Sequence, residues 1–183
     1  MRIIGGKHKS RRLTAPKNLP VRPTTDKTKE SIFNILNSYF TIEEVEVLDL
    51  FSGTGNMAYE FASRGAKSVI AVDKDYRCVS YIRKTVAVLK LDVIKPIKMD
   101  ALQFVERNHS TYDIIFADPP YQMENIDMLP DLVLGKDLLK EDGWFILEHS
   151  SENDFSEHPD LFQVRHYGRT ILSIFLKREK TQD

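Results

Sequence analysis

Four consecutive residues in the second half of the chain, Asp118-Pro119-Pro120-Tyr121, combine groups that suit one kind of chemistry. Two prolines in a row fix the backbone, remove two donors and set the direction of the preceding carbonyls. The acid before them is a charged acceptor, and the aromatic after them is a flat stacking face. Such a set fits a planar base that carries an exocyclic amine. Asp118 and a proline carbonyl would accept from the amino group, and Tyr121 would stack on the ring, a contact contributing about 1–3 kcal/mol. A rigid turn around a core tyrosine would use the same four residues.

A second group lies upstream, in Asp49-Leu50-Phe51-Ser52-Gly53-Thr54-Gly55-Asn56-Met57-Ala58. Two glycines between a strand and a helix let the backbone turn tightly and let a ligand approach the main chain. Gly53 to Ala58 fit the G-x-G-x-x-G/A nucleotide fingerprint, although a ligand-free turn can look the same. Asp73 follows Gly55 by 18 residues. A carboxylate there can accept from two ribose hydroxyls, and it can equally be an exposed helix cap. Asp100-Ala101 offers a third acid, suited either to an adenine amino group or to capping a helix. The five histidines show no close metal-ligand pair, and the single cysteine, Cys78, excludes a cysteine-based zinc cluster, so no metal is expected. His149, beside Glu148, is read as a structural contact, and Cys78 and Trp144 as core.

These residues gain meaning from the elements that carry them. Apolar runs read as strands at Val45–Phe51, Val69–Val72, Pro96–Met99, Ile114–Ala117 and Trp144–Glu148. Helical spacing marks Asn56–Arg64, Tyr76–Leu91, Ala101–Arg107 and Ile126–Leu139. Leu161–Tyr167 and Thr170–Lys177 look like two strands joined at Gly168. The alternation predicts an α/β fold: a mostly parallel sheet with helices on both faces, closed by an antiparallel hairpin. Every candidate acid but Asp49 then falls just beyond a strand's carboxyl end, where open α/β sheets bind ligands, and Asp49 opens the loop that follows its strand.

The 183 residues are 42% hydrophobic and 29% charged, which excludes a largely disordered or collagen-like chain. No stretch reads as a signal peptide or a membrane span, so a cytoplasmic location is expected. The net charge of −1 conceals an asymmetry. Residues 1–30 hold nine Lys/Arg against two acids, and the rest holds 17 against 25. A basic arm on an acidic body points to a polyanionic partner, or to a solvated tail. Within the arm, Arg2-Ile3-Ile4 and Arg12-Leu13-Thr14 can pair as a short ribbon around Gly5-Gly6. Three prolines then enforce an extended linker, and Thr24, Thr25 or Asp26 caps an amphipathic helix carrying Ile32, Phe33, Ile35, Leu36, Tyr39 and Phe40. Two parts are expected: residues 1–40 as arm, ribbon and helix, and residues 41–183 as the catalytic domain, together one compact unit.

Taken together, the motifs resemble the Rossmann-like class I S-adenosylmethionine-dependent methyltransferases that act on exocyclic amines. Arg2-Ile3-Ile4-Gly5-Gly6, Arg11-Arg12-Leu13, and Arg22-Pro23-Thr24-Thr25-Asp26 with Glu30 and Phe33-Asn34 are similar to the RsmD family. That family methylates guanine N2 in bacterial small-subunit (16S) ribosomal RNA. The resemblance covers nearly the whole chain and implies a seven-stranded sheet and S-adenosylmethionine as cofactor. It implies Asp49, Phe51, Gly53, Thr54 and Gly55 at the amino-acid end of the cofactor, Asp73 at the ribose, and Lys74 either packed near the adenine or solvated. Asp100 and Ala101 would meet the adenine, Asp118 to Tyr121 the target base, and Asp118 the cofactor as well. Lys7, Lys9, Arg11, Arg12 and Arg22 would contact phosphates of 16S rRNA or of the assembling subunit, with the protein a monomer. Three other readings remain open: an adenine-N6 methyltransferase for DNA or RNA, a nicotinamide-dependent oxidoreductase, and a non-catalytic RNA-binding module.

Overall fold

The computed structural model describes residues 1–16, 19 and 24–176. Arg22, assigned above to phosphates, and Lys177, placed above in the last strand, lie outside the described residues. Among the described residues seven strands form one sheet: β1 (Glu46–Leu50), β2 (Ser68–Asp73), β3 (Ile94–Lys98), β4 (Tyr112–Ala117), β5 (Leu139–His149), β6 (Leu161–Tyr167) and β7 (Thr170–Leu176). The α-helices among the described residues are α1 (Asp26–Leu36), α2 (Asn56–Ser63), α3 (Tyr76–Leu89), α4 (Ala101–Arg107) and α5 (Leu129–Gly135). The strand order is β3-β2-β1-β4-β5-β7-β6. Strands β1 to β5 pair in parallel, and β7 runs antiparallel between β5 and β6. The order reverses between β1 and β4, which opens a crevice at their carboxyl ends.

Both faces of a parallel sheet must be covered, and the apolar runs of the strands reflect this. Val47, Ile114, Phe116, Ile146 and Leu172 pack with Ile32, Phe33 and Leu36 of α1, Phe61 of α2 and Ile82 of α3. On the other face Leu48, Leu50, Ile115, Phe145 and Leu147 pack with Phe104 and Val105 of α4 and Leu129 and Val133 of α5.

The N-terminal ribbon forms as its sequence suggests. Arg2 bridges Arg12, and Ile3 and Leu13 donate to the carbonyls of Arg11 and Met1. Ile3 is buried in the same core as Val47, so the ribbon is built onto the sheet's covering layer. It lies on α2, every residue of which is buried. This contact sets the need for glycine at position 6. Gly6 has φ +71°, and a Cβ there would stand 1.8 Å from the Ser63 carbonyl oxygen. Thr25 caps α1 by accepting from the Thr28 amide.

One expected helix is shorter than its apolar spacing suggests. A 3₁₀ turn at Ile126–Met128 leads into α5, which stops at Gly135. Asp137 then takes a left-handed φ of 53°, and the chain re-enters the sheet at Leu139, opposite Tyr112. Leu138 and Leu139 are buried by the sheet rather than by a last helical turn. Lys140 fastens this early start of β5, pairing with Glu46 at 2.7 Å and Asp113 at 2.8 Å.

Candidate active site

The loop between β1 and α2 is held in a strained path by its own backbone. Phe51, Gly53 and Gly55 all have positive φ, the Ser52 amide donates to the Val72 carbonyl, and the Gly55 amide donates to the Ser52 carbonyl. Gly55 has a second constraint: a Cβ there would lie 2.8 Å from Cζ of Tyr59. Thr54 is buried, and its hydroxyl donates to Sδ of Met1. The first residues of the ribbon therefore lie against the loop.

Four carboxylates stand beside this crevice. Asp49 pairs in register with Ala71 on β2 and Phe116 on β4, and Ala117 pairs with Leu147 on β5. Side chains alternate across a strand, and Val47, Ala71, Phe116 and Ile146 face the α1–α3 side. Asp49, Asp73 and Glu148 share that side, and Asp118 continues the alternation one residue beyond the end of β4. Among the described residues no group of three His, Cys, Asp or Glu side chains is placed to hold a metal ion.

Each acid is anchored differently. Asp49 is 2% exposed and its Oδ2 has no hydrogen-bond partner among the described residues. Burial, opposed by hydrogen bonding and reinforced by Asp73, pushes its carboxyl up to about 8. Asp73 accepts from the amides of Gly53 and Asp75, each at 2.8 Å, which ties the second strand end to the glycine loop. Its pKa is also raised, first by burial. Asp118 is raised well above the ordinary carboxylate value by burial, then by Glu148, then by Asp49. The site is therefore short of positive charge, and a cation placed among these acids would favour their ionised forms.

Asp118 leads into the two prolines without a cis bond. The Pro120 carbonyl accepts from the Met123 amide at 2.8 Å, so it belongs to the turn. The Pro119 carbonyl takes no part in that bond. Tyr121 is 57% exposed and thus offers its ring to solvent rather than to the core.

Other sequence candidates fall into place unevenly. Asp100 caps α4 through Oδ1, accepting from Leu102 and Gln103 amides, while Ala101 is buried at the start of that helix. Lys74 is exposed. Lys7 and Lys9 lie at the ribbon's tip: the Lys7 amide donates to the Ser63 carbonyl and the His8 amide to Ser63 Oγ. Ser63 ends α2, which begins next to the glycine loop, so the tip is about 10 Å along the helix from that loop. Arg11 and Arg12 are exposed on the returning strand of the ribbon. His149, buried between Ser173 Oγ and the Ser150 carbonyl at 2.8 Å each, is a structural contact.

Two features went unread in the sequence. Glu148 completes the row of acids, and its signal was present: an apolar strand closed by an acid, as at Asp73 and Asp118. The second feature is a buried ion pair. Lys29 Nζ lies 2.8 Å from Glu60 Oε1 and 3.1 Å from Asn56 Oδ1, and it also donates to the Arg2 carbonyl. Glu60 accepts in addition from the Ile4 amide, and Asn56 donates to the Thr24 carbonyl. This hub joins the ribbon, α1 and the first turn of α2. Nothing in the spacing of Lys29 and Glu60 announces it.

The sheet order, the glycine loop and the acids at the strand ends are those of a class I methyltransferase. The chain belongs to the family described as conserved hypothetical protein 95, the RsmD family, whose model matches residues 1–176. It is 36% identical to YlbH of Bacillus subtilis (strain 168), over 97% of this chain and 100% of that one, a protein whose name places it provisionally among rRNA methyltransferases. It is 28% identical to the ribosomal RNA small subunit methyltransferase D of Escherichia coli (strain K12), over 87% of this chain and 79% of that one. Among solved structures, yhhF of Escherichia coli, described provisionally as a methyltransferase, superposes with a TM-score of 0.82 at 26% identity, covering 96% of both chains.

Proposed function

We propose that this protein transfers a methyl group from S-adenosylmethionine to the exocyclic N2 of a guanine in small-subunit ribosomal RNA. The observation that carries the reading is the Asp118-Pro119-Pro120-Tyr121 turn, set beside the glycine loop at the point where the sheet reverses. Membership of the RsmD family and the name of the Escherichia coli relative support the choice of RNA.

The residues present fit the cofactor. The unpartnered, buried Oδ2 of Asp49 suits the ammonium of an amino acid, and the amides of the Gly53–Gly55 loop suit its carboxylate. Asp73, held by two amides, keeps lone pairs for a ribose diol. Asp100 has only Oδ1 engaged in its cap, so Oδ2 serves an adenine amine. The cofactor supplies a methyl group already activated on a sulfonium.

The chain's part is alignment and charge. Tyr121 stacks on a guanine turned out of its helix, or already unpaired, which costs a few kcal/mol. Asp118 and the Pro119 carbonyl accept from the N2 amine, turning its lone pair out of conjugation and toward the methyl carbon. The positive charge that N2 would gain on accepting the methyl group would leave as a proton to the Asp118 carboxylate, whose proton affinity burial, Glu148 and Asp49 raise. The surrounding acids stabilise that charge along its path. The fixed placement of the base amine by Asp118, the Pro119 carbonyl and Tyr121 would account for most of the acceleration.

Asp118→Ala tests this division of labour. We expect S-adenosylmethionine binding within about threefold of the parent, and methyl transfer down by at least about 100-fold, the usual scale for removing one preorganised partner. Equal transfer rates in the two proteins would overturn the role of Asp118.

A further inference from the structure

We propose a second RNA-contact surface, along the groove between α1 and the edge strand β6. It deepens the reading above and rests on the same ribosomal RNA substrate. The groove measures about 520 Å³ and is lined by Ser31, Asn34, Ile35 and the segment Val164 to Tyr167. Its chemistry differs from that of the body around it. Residues 31–183 carry an excess of acids, yet residues 161–176 contain none and hold Arg165, His166 and Arg169.

Position ties this groove to the active site. His149 at the end of β5 pairs with Ile171, and Ile171 pairs with His166. The turn Tyr167-Gly168-Arg169-Thr170 therefore sits at the same edge of the sheet as the ends of β1, β4 and β5. Arg165 pairs with Leu172, which packs in the core on the α1 side, so by strand alternation its side chain stands on the groove's side. At the other end of the groove two aromatic rings are exposed, Tyr39 at 58% and Phe162 at 43%, with centroids 6.1 Å apart. Cations spaced along a groove and rings at its end form the pattern by which proteins hold single strands: charge follows the backbone and rings take bases. Among the described residues strand β6 pairs with β7 alone, so its outer edge keeps backbone donors available for phosphate oxygens.

The surface also supplies what the N-terminal ribbon lacks. Lys7 and Lys9 lie at the end of α2 remote from the glycine loop, whereas Arg169 lies at the sheet edge that carries the site. A strand leaving the active site over β5 would reach Arg169 and Arg165 directly.

The test uses the full chain, purified unmodified small-subunit ribosomal RNA, and unmodified small-subunit particles. Filter binding is measured between about 50 and 200 mM salt, with S-adenosylmethionine binding measured alongside. Removing one cation from a single-strand phosphate makes the slope of log K against log salt shallower by about 0.7. For Arg165→Ala/Arg169→Ala we expect RNA affinity about tenfold lower, a slope shallower by about 1.4, and unchanged cofactor binding. Arg165→Lys/Arg169→Lys should restore the slope. Tyr39→Ala should weaken binding about fivefold with no change of slope. If the parent binds and methylates the RNA while the double alanine variant binds with the same affinity and slope, the groove is refuted and the proposed function stands. A variant that loses affinity only for particles would assign the groove to a protein, which also overturns the proposal. A parent that neither binds nor methylates ribosomal RNA overturns both.

Discussion

Lys29→Met is the substitution whose cost the structure defines most sharply. Lys29 and Glu60 are both 0% exposed, so water cannot replace either partner. Removing the ammonium leaves the Glu60 carboxylate buried, and breaking a buried pair in this way costs about 3–5 kcal/mol. The Ile4 amide still donates to Glu60 Oε1 at 2.7 Å, and Arg64 Nε stays 3.6 Å from Oε2. These remaining contacts put the cost near the lower limit, about 3 kcal/mol, a large share of a typical stability of about 5–15 kcal/mol. The Arg2 carbonyl and Asn56 Oδ1 lose a donor too, which loosens the ribbon and the first turn of α2 together. Urea unfolding reads the effect. With a slope of about 2 kcal/mol per M, the midpoint should fall by about 1.5 M. Lys29→Met/Glu60→Met should be less destabilised than Lys29→Met alone, because no unpaired charge remains buried. A midpoint within about 0.3 M of the parent, or a double variant less stable than the single, would refute the reasoning.

Three further outcomes are expected. Asp49 has a folded-state pKa of about 8 against an ordinary 3.8, so the folded chain holds a proton that the unfolded chain releases. Its contribution to stability is therefore complete below about pH 4 and is lost as pH rises through about 8; the melting temperature of the cofactor-free protein should fall over that range, and Asp49→Asn should flatten the fall. Gly6→Ala should cost at least about 2 kcal/mol in urea unfolding, because its Cβ would collide with the Ser63 backbone at a left-handed φ. Tyr121→Ala should weaken substrate RNA binding by about 5- to 150-fold as its stacking is removed, measured as KM, while Tyr121→Phe stays near the parent.

The arrangement of strands and helices could be read from the sequence because each depends on local pattern. Largely apolar runs of four to seven residues marked β1, β2 and β4, glycines marked the loop before α2, and prolines fixed the turn after β4. Leu138 and Leu139 misled the reading, since an apolar pair at the end of a helical stripe looks the same whether a helix or a strand buries it. Sheet pairing with Tyr112, a long-range event, decided the matter. The acids of the site were visible as single residues closing apolar runs. Their mutual effect was not, because the influence of Glu148 and Asp49 on Asp118 arises only when β1, β4 and β5 lie side by side. The Lys29–Glu60 pair was hidden for the same reason: two charged residues on amphipathic helices look like solvent-facing ones until the ribbon covers them. The basic arm was legible as charge, but its placement was not, and the ribbon carries Lys7 and Lys9 along α2 away from the glycine loop.

Methylation of the N2 amine of a guanine in small-subunit ribosomal RNA is most directly tested by following the methyl group itself. S-adenosylmethionine labelled in that group is supplied to unmodified small-subunit particles, naked small-subunit RNA, transfer RNA and DNA, and the labelled nucleoside is identified after digestion. Label is expected in N2-methylguanosine from small-subunit RNA, and Asp118→Ala should abolish it. Label in N6-methyladenine, label confined to transfer RNA or DNA, or no transfer to any substrate would contradict the proposed activity.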